Sequence, residues 1–373
     1  MRGLLSLSAP QGCELGERVP AKTIVELSCP APLTAKDTIL LGHGSGGKLS
    51  AELIRDIFLP AFQNPVLARL DDQAIVNVNG QRLAITTDSF VVKPLFFPGG
   101  DIGSLAVHGT VNDLAMGGAT PLFLSAAFII EEGFSMDDLR RVVSSLRQAA
   151  AEAGVQVVTG DTKVVEKGKG DGLFINTTGI GIVPEGIELS ADRARPGDKV
   201  LLSGPIGDHG IAILAQREGL EFETKIQSDS AALHTLVAAM LGVTSNVTLD
   251  IRCMRDPTRG GVSSTLNEIA ERSQVGIELE ERSLPIHEEV RGACELLGLD
   301  PLYVANEGKL IAIVAPEGAD AVLQAMKRHP LGAEAVVIGT VKKENPGLVT
   351  MRTPLGTTRI VDMLAGDQLP RIC

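Results

Sequence analysis

The stretch that decides the fold is residues 86–121, which read TTDSFVVKPLFFPGGDIGSLAVHGTVNDLAMGGATP. Asp101 precedes an apolar run and is suited to cap a helix, because its carboxylate can accept hydrogen bonds from the free N–H groups of a first turn. We predict this helix over residues 101–117 and a buried strand over residues 122–130. A capped helix between strands is typical of an α/β domain.

The segments on either side of this stretch extend the pattern. The strand-like runs QAIVNV and RLAITT flank Asn79-Gly80, which is the strongest short signal for a β-hairpin. Upstream, residues 42–48 form a glycine-rich loop, and apolar residues at helical spacing then predict a helix that ends at Pro60. Downstream we predict a helix over residues 136–153 and then the strand VQVVTGD, which delivers its last residues to a loop.

The chain is long enough for two domains, because 373 residues exceed what one hydrophobic core usually holds. The polar, turn-rich residues 184–198 are suited to link them. Beyond this segment, strands such as LIAIVA and AVVIGTV alternate with predicted helices, which indicates a second α/β or α+β domain. Those helices are predicted over residues 229–241, 262–273 and 318–327. We expect an extension without a sustained helical or strand period over residues 1–40 and an N-terminal domain over residues 41–185. A C-terminal domain over residues 198–364 and a mobile tail over residues 365–373 follow.

Composition excludes several classes of function. With 46 acidic against 34 basic residues, one Tyr and no Trp, the chain offers neither the charge nor the aromatic platforms of a nucleic-acid surface. No apolar run approaches the roughly 18 residues of a membrane span, and no secretory signal is expected. The cysteines show no CxxC or metal-ligand spacing, which favours a reducing cytoplasm over a disulfide framework or a zinc site. They are Cys13, Cys29, Cys253, Cys294 and Cys373, of which the third and fourth are expected in the core.

Several aspartates stand at predicted element ends beside Gly, Thr, Ser or Asn. They are Asp71, Asp72, Asp88, Asp113, Asp161 and Asp256. Carboxylates grouped at such ends are what Mg²⁺ bridged to a polyphosphate requires, since the phosphates supply the remaining ligands. Taken singly, each aspartate can equally be a cap or a turn residue.

Two glycine-rich segments have the character of phosphate loops. GHGSGGK, residues 42–48, opens a helix, so its N–H groups could surround a phosphate while Lys48 adds a positive charge. DPTRGGV, residues 256–262, combines Asp256, Arg259 and two glycines directly before another helix. The alternative for the first is a flexible connector, and for the second a simple capping segment.

Seven motifs together carry a resemblance to a known family. They are GHGSGGK, DDQA, the stretch 86–121, GDTKVV, DPTRGGV, VANEGKL and the terminal PRIC. In combination they resemble the HypE family, the carbamoyl dehydratases of nickel-iron hydrogenase maturation, over residues 41–373. More distantly, the chain is similar to an ATP-binding superfamily that includes aminoimidazole ribonucleotide synthetase, selenophosphate synthetase and thiamine-monophosphate kinase.

The resemblance implies both a fold and an activity. It implies two α/β domains per subunit, with the N-terminal sheets pairing across a homodimer into a barrel-like core and ATP along the interdomain cleft. It also implies that an S-carboxamide on Cys373 is dehydrated to a thiocyanate, the source of the cyanide ligands of the hydrogenase iron. The implied cofactors are ATP and Mg²⁺, and the implied partners are the carbamoyltransferase HypF and the HypC–HypD iron scaffold as cyanide acceptor.

The resemblance also assigns site residues. The implied magnesium ligands are Asp72, Asp88, Asp113, Asp161 and Asp256. The implied ATP-binding residues are Gly42, Gly44, Ser45, Gly46, Gly47, Lys48, Asn112, Thr258, Arg259 and Gly260. The implied catalytic residues are Cys373, Lys163, Glu307 and His43. As a hypothesis on roles, the glutamate takes a proton from the carboxamide, and the lysine holds the carboxamide or its developing charge.

Two other functions compete with this interpretation. One is an enzyme of the same superfamily that uses ATP on a small soluble molecule, but such a substrate would not require the terminal thiol of Cys373. The other is a non-catalytic carrier that holds a group for a partner protein. A pure carrier has no use for a set of magnesium-binding aspartates.

Overall fold

The computed structural model describes residues 38–220, 226–243, 250–366 and 371–373. The predictions for most of the N-terminal extension, including Cys13 and Cys29, and for residues 367–370 of the tail lie outside this part of the chain. Contacts divide the chain into two units, residues 1–39 and residues 40–373, and every element named below belongs to the second. No helix among the described residues is both long and apolar enough to cross a membrane.

The N-terminal half is built on a mixed sheet. The strands of this sheet are β1 (Ala74–Val78), β2 (Gln81–Phe90), β5 (Thr120–Glu131), β6 (Gln156–Val165) and β7 (Leu173–Ile182). Two short strands, β3 (Phe96–Phe97) and β4 (Gly100–Asp101), pair with each other outside it. The described strands of the sheet run in the order β1-β2-β7-β5-β6, antiparallel except for the β5–β6 pair. The predicted hairpin is confirmed, because Asn79 and Gly80 have φ of +52° and +84° and connect β1 to β2 as a two-residue turn.

Two helices, α3 (Ile102–Met116) and α4 (Met136–Glu152), cover one face of this sheet. Two shorter helices, α1 (Lys48–Leu53) and α2 (Leu59–Phe62), precede the sheet in the chain. The predicted cap of α3 is confirmed, since the Asp101 carboxylate accepts hydrogen bonds from Gly103 N at 2.7 Å and Ser104 N at 3.1 Å. Helix α3 packs on β2, β5 and β7, and α4 packs on α3 and β6. The opposite face of the sheet carries the half-exposed side chains of Ile129 and Ile180 and is covered by no described helix.

Two predicted boundaries in this half are wrong. The helix does not end at Pro60, because α1 continues through a π-helical turn over Ile54–Phe58 into α2, which ends at Phe62. The strand that contains VQVVTGD does not end at Asp161. It continues as β6 to Val165 because it pairs with β5 as far as Glu131, so Asp161 and Lys163 lie within a strand and not in a loop.

The C-terminal half is built on a larger, mostly antiparallel sheet. Its strands are β8 (Lys199–Leu202), β9 (Ile251–Arg255), β10 (Gly276–Glu280), β11 (Ile311–Val314), β12 (Val336–Lys342), β13 (Val349–Arg352) and β14 (Thr358–Ile360). In the described chain their order is β14-β13-β10-β12-β8-β11-β9, and only β10 and β13 pair in parallel. The helices are α5 (Asp208–Glu218), α6 (His234–Leu241), α7 (Gly261–Ser273), α8 (Glu288–Leu297) and α9 (Pro316–Arg328).

The core joins the two halves. Residues 184–198 contain neither helix nor strand, as a linker would, yet Ile187 and Leu189 are buried in a cluster that also holds Leu114 from α3 and Leu236 from α6. The predicted helix over residues 229–241 begins only at His234, because the preceding residues serve the site described next. Cys253 and Cys294 are buried, which confirms that they are core residues.

Candidate functional site

Four of the five predicted magnesium ligands converge between the two halves. Asp72 precedes β1, Asp88 is on β2, Asp113 is on α3 and Asp256 follows β9. Burial raises the pKa of Asp113 well above its usual range, and the charges of the other three aspartates raise it further. We call these four residues the acidic cluster.

Burial is the largest cause of the raised pKa of every carboxylate in the acidic cluster. It raises the pKa of Asp256 to about 6, although the charge of Arg255 lowers it. The same burial raises the pKa of Asp72, and the Arg255 guanidinium, 2.7 Å from Asp72 Oδ1, again opposes the rise. Burial also raises the pKa of Asp88, against the charge of Arg259. The site therefore holds more negative charge than its own arginines compensate, and a bound cation would relieve it.

The acidic cluster fits a metal-phosphate site better than a metal cage made by the protein alone. Among the described residues, no three carboxylate, histidine or cysteine side chains enclose a position for a metal ion. Asp72 Oδ2 and Asp256 Oδ2 are nevertheless buried without a hydrogen-bond partner in the described structure. Mg²⁺ prefers such hard oxygen ligands and usually takes only one or two carboxylates from a protein, with phosphate and water completing its shell.

The structure does not bring the fifth predicted ligand, Asp161, to the acidic cluster. Across the sheet, Asp161 is in register with Ala127, Asn176 and then Ser89, the neighbour of Asp88. Since successive side chains of a strand point to opposite faces, Asp161 lies on the open face and Asp88 on the helix-covered face. Lys163 shares the open face with Asp161, and its Nζ is 2.6 Å from Asp161 Oδ2.

The two predicted phosphate loops lie against each other. The Arg259 guanidinium donates to Gly44 O at 3.1 Å, and a Cβ on Gly46 would lie 2.5 Å from Arg259 O, so no larger residue fits there. The first loop also contacts the chain before the tail, where Lys48 N donates to Leu364 O at 2.8 Å and Ser45 Oγ to Gly366 O at 3.0 Å. The residues implied for ATP at 42–48 and 258–260 therefore form one continuous wall, with Gly260 against Gly46.

The side chains of three further predicted site residues are held by partners within the chain. Lys48 Nζ forms an ion pair with Asp362 at 2.6 Å, and His43 Nδ1 accepts a hydrogen bond from Leu40 N at 2.9 Å in a 3₁₀ turn over Leu41–Gly44. Asn112 is buried, and its side chain binds backbone atoms of the C-terminal half. Its Nδ2 donates to Ala231 O and Glu307 O, and its Oδ1 accepts from Leu233 N at 2.8 Å. Asn112 thus fixes the backbone that carries Glu307.

Glu307 is a buried carboxyl group aimed at the acidic cluster. Only 2% of the residue is exposed, and its Oε1 has no hydrogen-bond partner among the described residues. Burial, followed by the charges of Asp256 and Asp88, raises its pKa well above the usual range, while Arg259 lowers it. Its backbone is held from both sides, since Glu307 N donates to Asp229 Oδ1 at 3.0 Å.

The last residues of the chain enter this site. Cys373 is 7% exposed, and its main-chain oxygen accepts a hydrogen bond from Val91 N at 2.9 Å. Burial raises the pKa of the thiol, the charge of Arg259 lowers it, and the charges of Glu307 and Asp88 raise it again. The sulfur is thus within electrostatic reach of the acidic cluster, Arg259 and Glu307.

Neither His209 nor Asp171 was among the site residues predicted from the sequence. In the structure, His209 Nε2 contacts Ile372 O at 2.9 Å, and Asp171 pairs with Arg371. His209 stands between glycines where α5 begins, and Asp171 stands in the glycine-rich turn before β7. A residue in such a turn gives little indication of a binding role in the sequence, because its partners here, Arg371 and Ile372, lie at the distant end of the chain.

Comparison with known proteins relates most of the chain to one family of relatives. Residues 70–183 and 195–351 match the N-terminal and C-terminal domains of AIR synthase related proteins. Carbamoyl dehydratase HypE of Azotobacter vinelandii is 60% identical, over 89% of this chain and 96% of the relative. Carbamoyl dehydratase HypE of Escherichia coli is 46% identical, over 90% of this chain and 100% of the relative.

Solved structures give the same relationship. A crystal structure of a HypE–HypF complex has a TM-score of 0.79 and 51% identity, and covers 84% of this chain and 99% of that one. A crystal structure of hydrogenase maturation protein HypE in complex with ATP has a TM-score of 0.75 and 53% identity, and covers 90% of this chain and 100% of that one.

Proposed function

The chain belongs to the carbamoyl dehydratase HypE family, and we propose that it uses ATP and Mg²⁺ to dehydrate an S-carboxamide on Cys373 to a thiocyanate in nickel-iron hydrogenase maturation. The thiocyanate is then the source of the cyanide ligands of the active-site iron. One observation carries the proposal. The thiol of Cys373 is buried where the charges of Arg259, Glu307 and Asp88 act on it.

The chemistry requires an activated oxygen. The carboxamide oxygen is a poor leaving group, so ATP transfers its γ-phosphoryl group to that oxygen, which then leaves as phosphate. The carbon–oxygen bond breaks, both nitrogen-bound protons depart, and a carbon–nitrogen triple bond remains on the sulfur. ADP and phosphate are the other products, so all atoms balance.

The acidic cluster and Arg259 would position the phosphates. Mg²⁺, when bound, would neutralise phosphate charge, and Asp72 and Asp256 are the residues whose free oxygens would hold it. Arg259 adds a fixed positive charge at the thiol. Phosphoryl transfer depends chiefly on such positioning and charge stabilisation.

Glu307 is the residue placed to take a proton from the carboxamide nitrogen. Its charge acts on the Cys373 thiol, and its Oε1 is not engaged by another described group. A carboxylate whose pKa is raised by burial is also a stronger base once ionised than a surface glutamate. We therefore expect the dehydration rate to increase with pH as Glu307 loses its proton.

We also propose that the enzyme is a homodimer that covers strand β6. All but the last residue of β6 are exposed, and its apolar side chains include Val157, Val158 and Val164. Native proteins cover or blunt such an edge, because its unpaired backbone groups invite association. Asp161 and Lys163 lie on this strand, so the roles proposed for them depend on that interface.

A charge placed on β6 should separate the subunits. Val164 is 67% exposed, and Val164→Lys is expected to turn a dimer into a monomer, as measured by light scattering on a sizing column. The matched control is Leu355→Lys, since Leu355 is 92% exposed but lies between β13 and β14. A Val164→Lys protein with the mass of the parent would contradict the interface.

The proposed partners follow from the same reaction. A HypF-type carbamoyltransferase would load Cys373, and the HypE–HypF complex among the solved relatives supports that pairing. A HypC–HypD-type iron scaffold would accept the cyanide. Since the reaction consumes ATP and requires a free thiol, we place it in the cytoplasm.

Intact-mass spectrometry tests the proposed function. After carbamoylation of Cys373, addition of ATP should reduce the mass of the chain by one water. Cys373→Ala should show neither change, whereas Cys294→Ala, which alters a buried thiol outside the site, should show both. A chain that is carbamoylated and never loses water would be a carrier. A chain that hydrolyses ATP without any change in mass would act on another substrate.

A further inference from the structure

We propose that Asp171 and His209 are positioning residues that hold residues 371–373 in the cleft, and that the charge of Asp171 sets how often the tail is docked. The inference rests on the proposed function, because it concerns the segment that carries the reacting thiol. Neither residue touches the reacting atoms. Both act through the backbone and side chains of the last three residues.

The docked segment continues the backbone pairing of the N-terminal half. Lys93 N donates to Arg371 O at 3.2 Å, and Val91 N donates to Cys373 O at 2.9 Å. Arg371 Nε returns a hydrogen bond to Val91 O at 3.1 Å. Arg371 is therefore fixed beside residues 91–93, and Cys373 is held two residues further along by its own hydrogen bond with Val91.

Asp171 joins two cations across this pairing. One carboxylate oxygen pairs with the Arg371 guanidinium, and the other accepts from Lys93 Nζ at 2.8 Å. All three side chains are partly exposed, so solvent weakens the interaction. Without Asp171, Lys93 and Arg371 would stand beside each other as like charges, which disfavours docking.

His209 supports the segment from the other side. The ring is fully buried, its Nε2 is 2.9 Å from Ile372 O, and its Nδ1 is 2.7 Å from Ser228 Oγ. A carbonyl oxygen can only accept, so Nε2 carries the proton, and the neutral ring accepts from the serine at Nδ1. Burial lowers the pKa of His209 and so maintains this neutral form.

The arrangement suits a group that must both enter and leave. The buried bond from His209 fixes where Ile372 lies, and Ile372 itself is packed among apolar residues of the core. The half-exposed charge pair contributes a modest and adjustable share of the docking. Weakening that pair should therefore change how long the tail stays docked without changing where it docks.

A charge exchange tests the role of Asp171. The rate of Cys373 alkylation by iodoacetamide reports undocking, and buried Cys253 and Cys294 report unfolding in the same sample. We expect Asp171→Arg and Arg371→Asp each to raise the Cys373 rate about tenfold. The double variant should reverse a large part of this increase, but not all of it, because the charge pair returns while the Arg371 Nε bond to Val91 O does not. Single-turnover dehydration should fall and recover in parallel.

Two further sets of variants control for a general effect. The exposed pair Asp137–Arg140 on α4 offers the same exchange away from the tail, and it should change neither rate. His209→Gln keeps a donor near the position of Nε2 and should retain most of the docking. His209→Leu should lose it, with Cys253 and Cys294 still protected.

The outcomes separate this inference from the proposed function. Single variants with the parental alkylation rate, or a double variant that fails to recover, would overturn the positioning role of Asp171. Alkylation rates that change as expected in a protein that never loses water would support the positioning role and contradict the dehydratase function. Unchanged alkylation together with normal dehydration in Asp171→Arg would leave the function intact and refute the inference.

Discussion

Replacing Glu307 with glutamine is expected to stop dehydration of the Cys373 carboxamide while leaving the fold in place. The change preserves shape and removes a carboxylate whose buried Oε1, near the thiol, accepts from no described donor. The hydrogen bonds of Glu307 to Asp229 and Asn112 use its backbone and survive the substitution. Loss of a general base typically lowers a rate by about 10²- to 10⁴-fold.

Single-turnover measurements would show this loss most clearly. The carbamoylated protein is mixed with ATP, the loss of water is followed by mass, and nucleotide binding is followed separately by calorimetry. Glu317→Gln, at an exposed position of α9, is the matched control and should keep the parental rate. A Glu307→Gln protein that dehydrates within a few-fold of the parent would remove the glutamate from its proposed role as base.

Replacing Asp256 with asparagine is expected to raise stability and abolish activity together. Burial raises the pKa of Asp256 to about 6 from an ordinary 3.8, so at neutral pH its negative charge costs more free energy in the folded protein than in the unfolded chain. At 1.36 kcal/mol per pKa unit, removing that charge should stabilise the metal-free protein by about 1–3 kcal/mol. The Arg255 pairs with Asp72 and Glu268 remain. Activity falls because a proposed magnesium ligand is gone.

The stability gained by Asp256→Asn should depend on pH. Because the folded pKa lies above the unfolded one, the penalty is fully present above about pH 6 and absent below about pH 4. The difference in melting temperature between Asp256→Asn and the parent should therefore be positive at neutral pH and vanish in acid. Asp320→Asn, on exposed α9 surface, should show no difference at either pH. A lower melting temperature for Asp256→Asn at neutral pH would contradict the expected charge repulsion.

Local signals in the sequence predicted much of the site. The turn at Asn79-Gly80 and the cap at Asp101 depend on a few adjacent residues, and both were confirmed. The grouping of Asp72, Asp88 and Asp113 could also be predicted from the sequence, because each stands where a predicted element meets a turn or a short polar motif. The site residues were predicted from the motifs, whereas composition only excluded classes of function.

The site residues that could not be predicted are placed by strand register or by contacts between distant segments of the chain. The place of Lys163 on the open face follows from the register of β6 against β5, which no local pattern specifies. The hydrogen bonds of Asn112 likewise depend on the C-terminal half, which begins far along the chain. His209 and Asp171 were missed because their partners are the last three residues, and only the folded chain brings them together.

The most direct measurement follows the carboxamide oxygen. Cys373 is loaded with a carbamoyl group that carries a heavy oxygen isotope, ATP is added, and the phosphate and the C-terminal peptide are analysed by mass spectrometry. The account predicts that the isotope appears in inorganic phosphate and that a nitrile appears on Cys373. Isotope released into water, or a nitrile on any other residue, would contradict the claim that ATP activates a carboxamide held on the terminal cysteine.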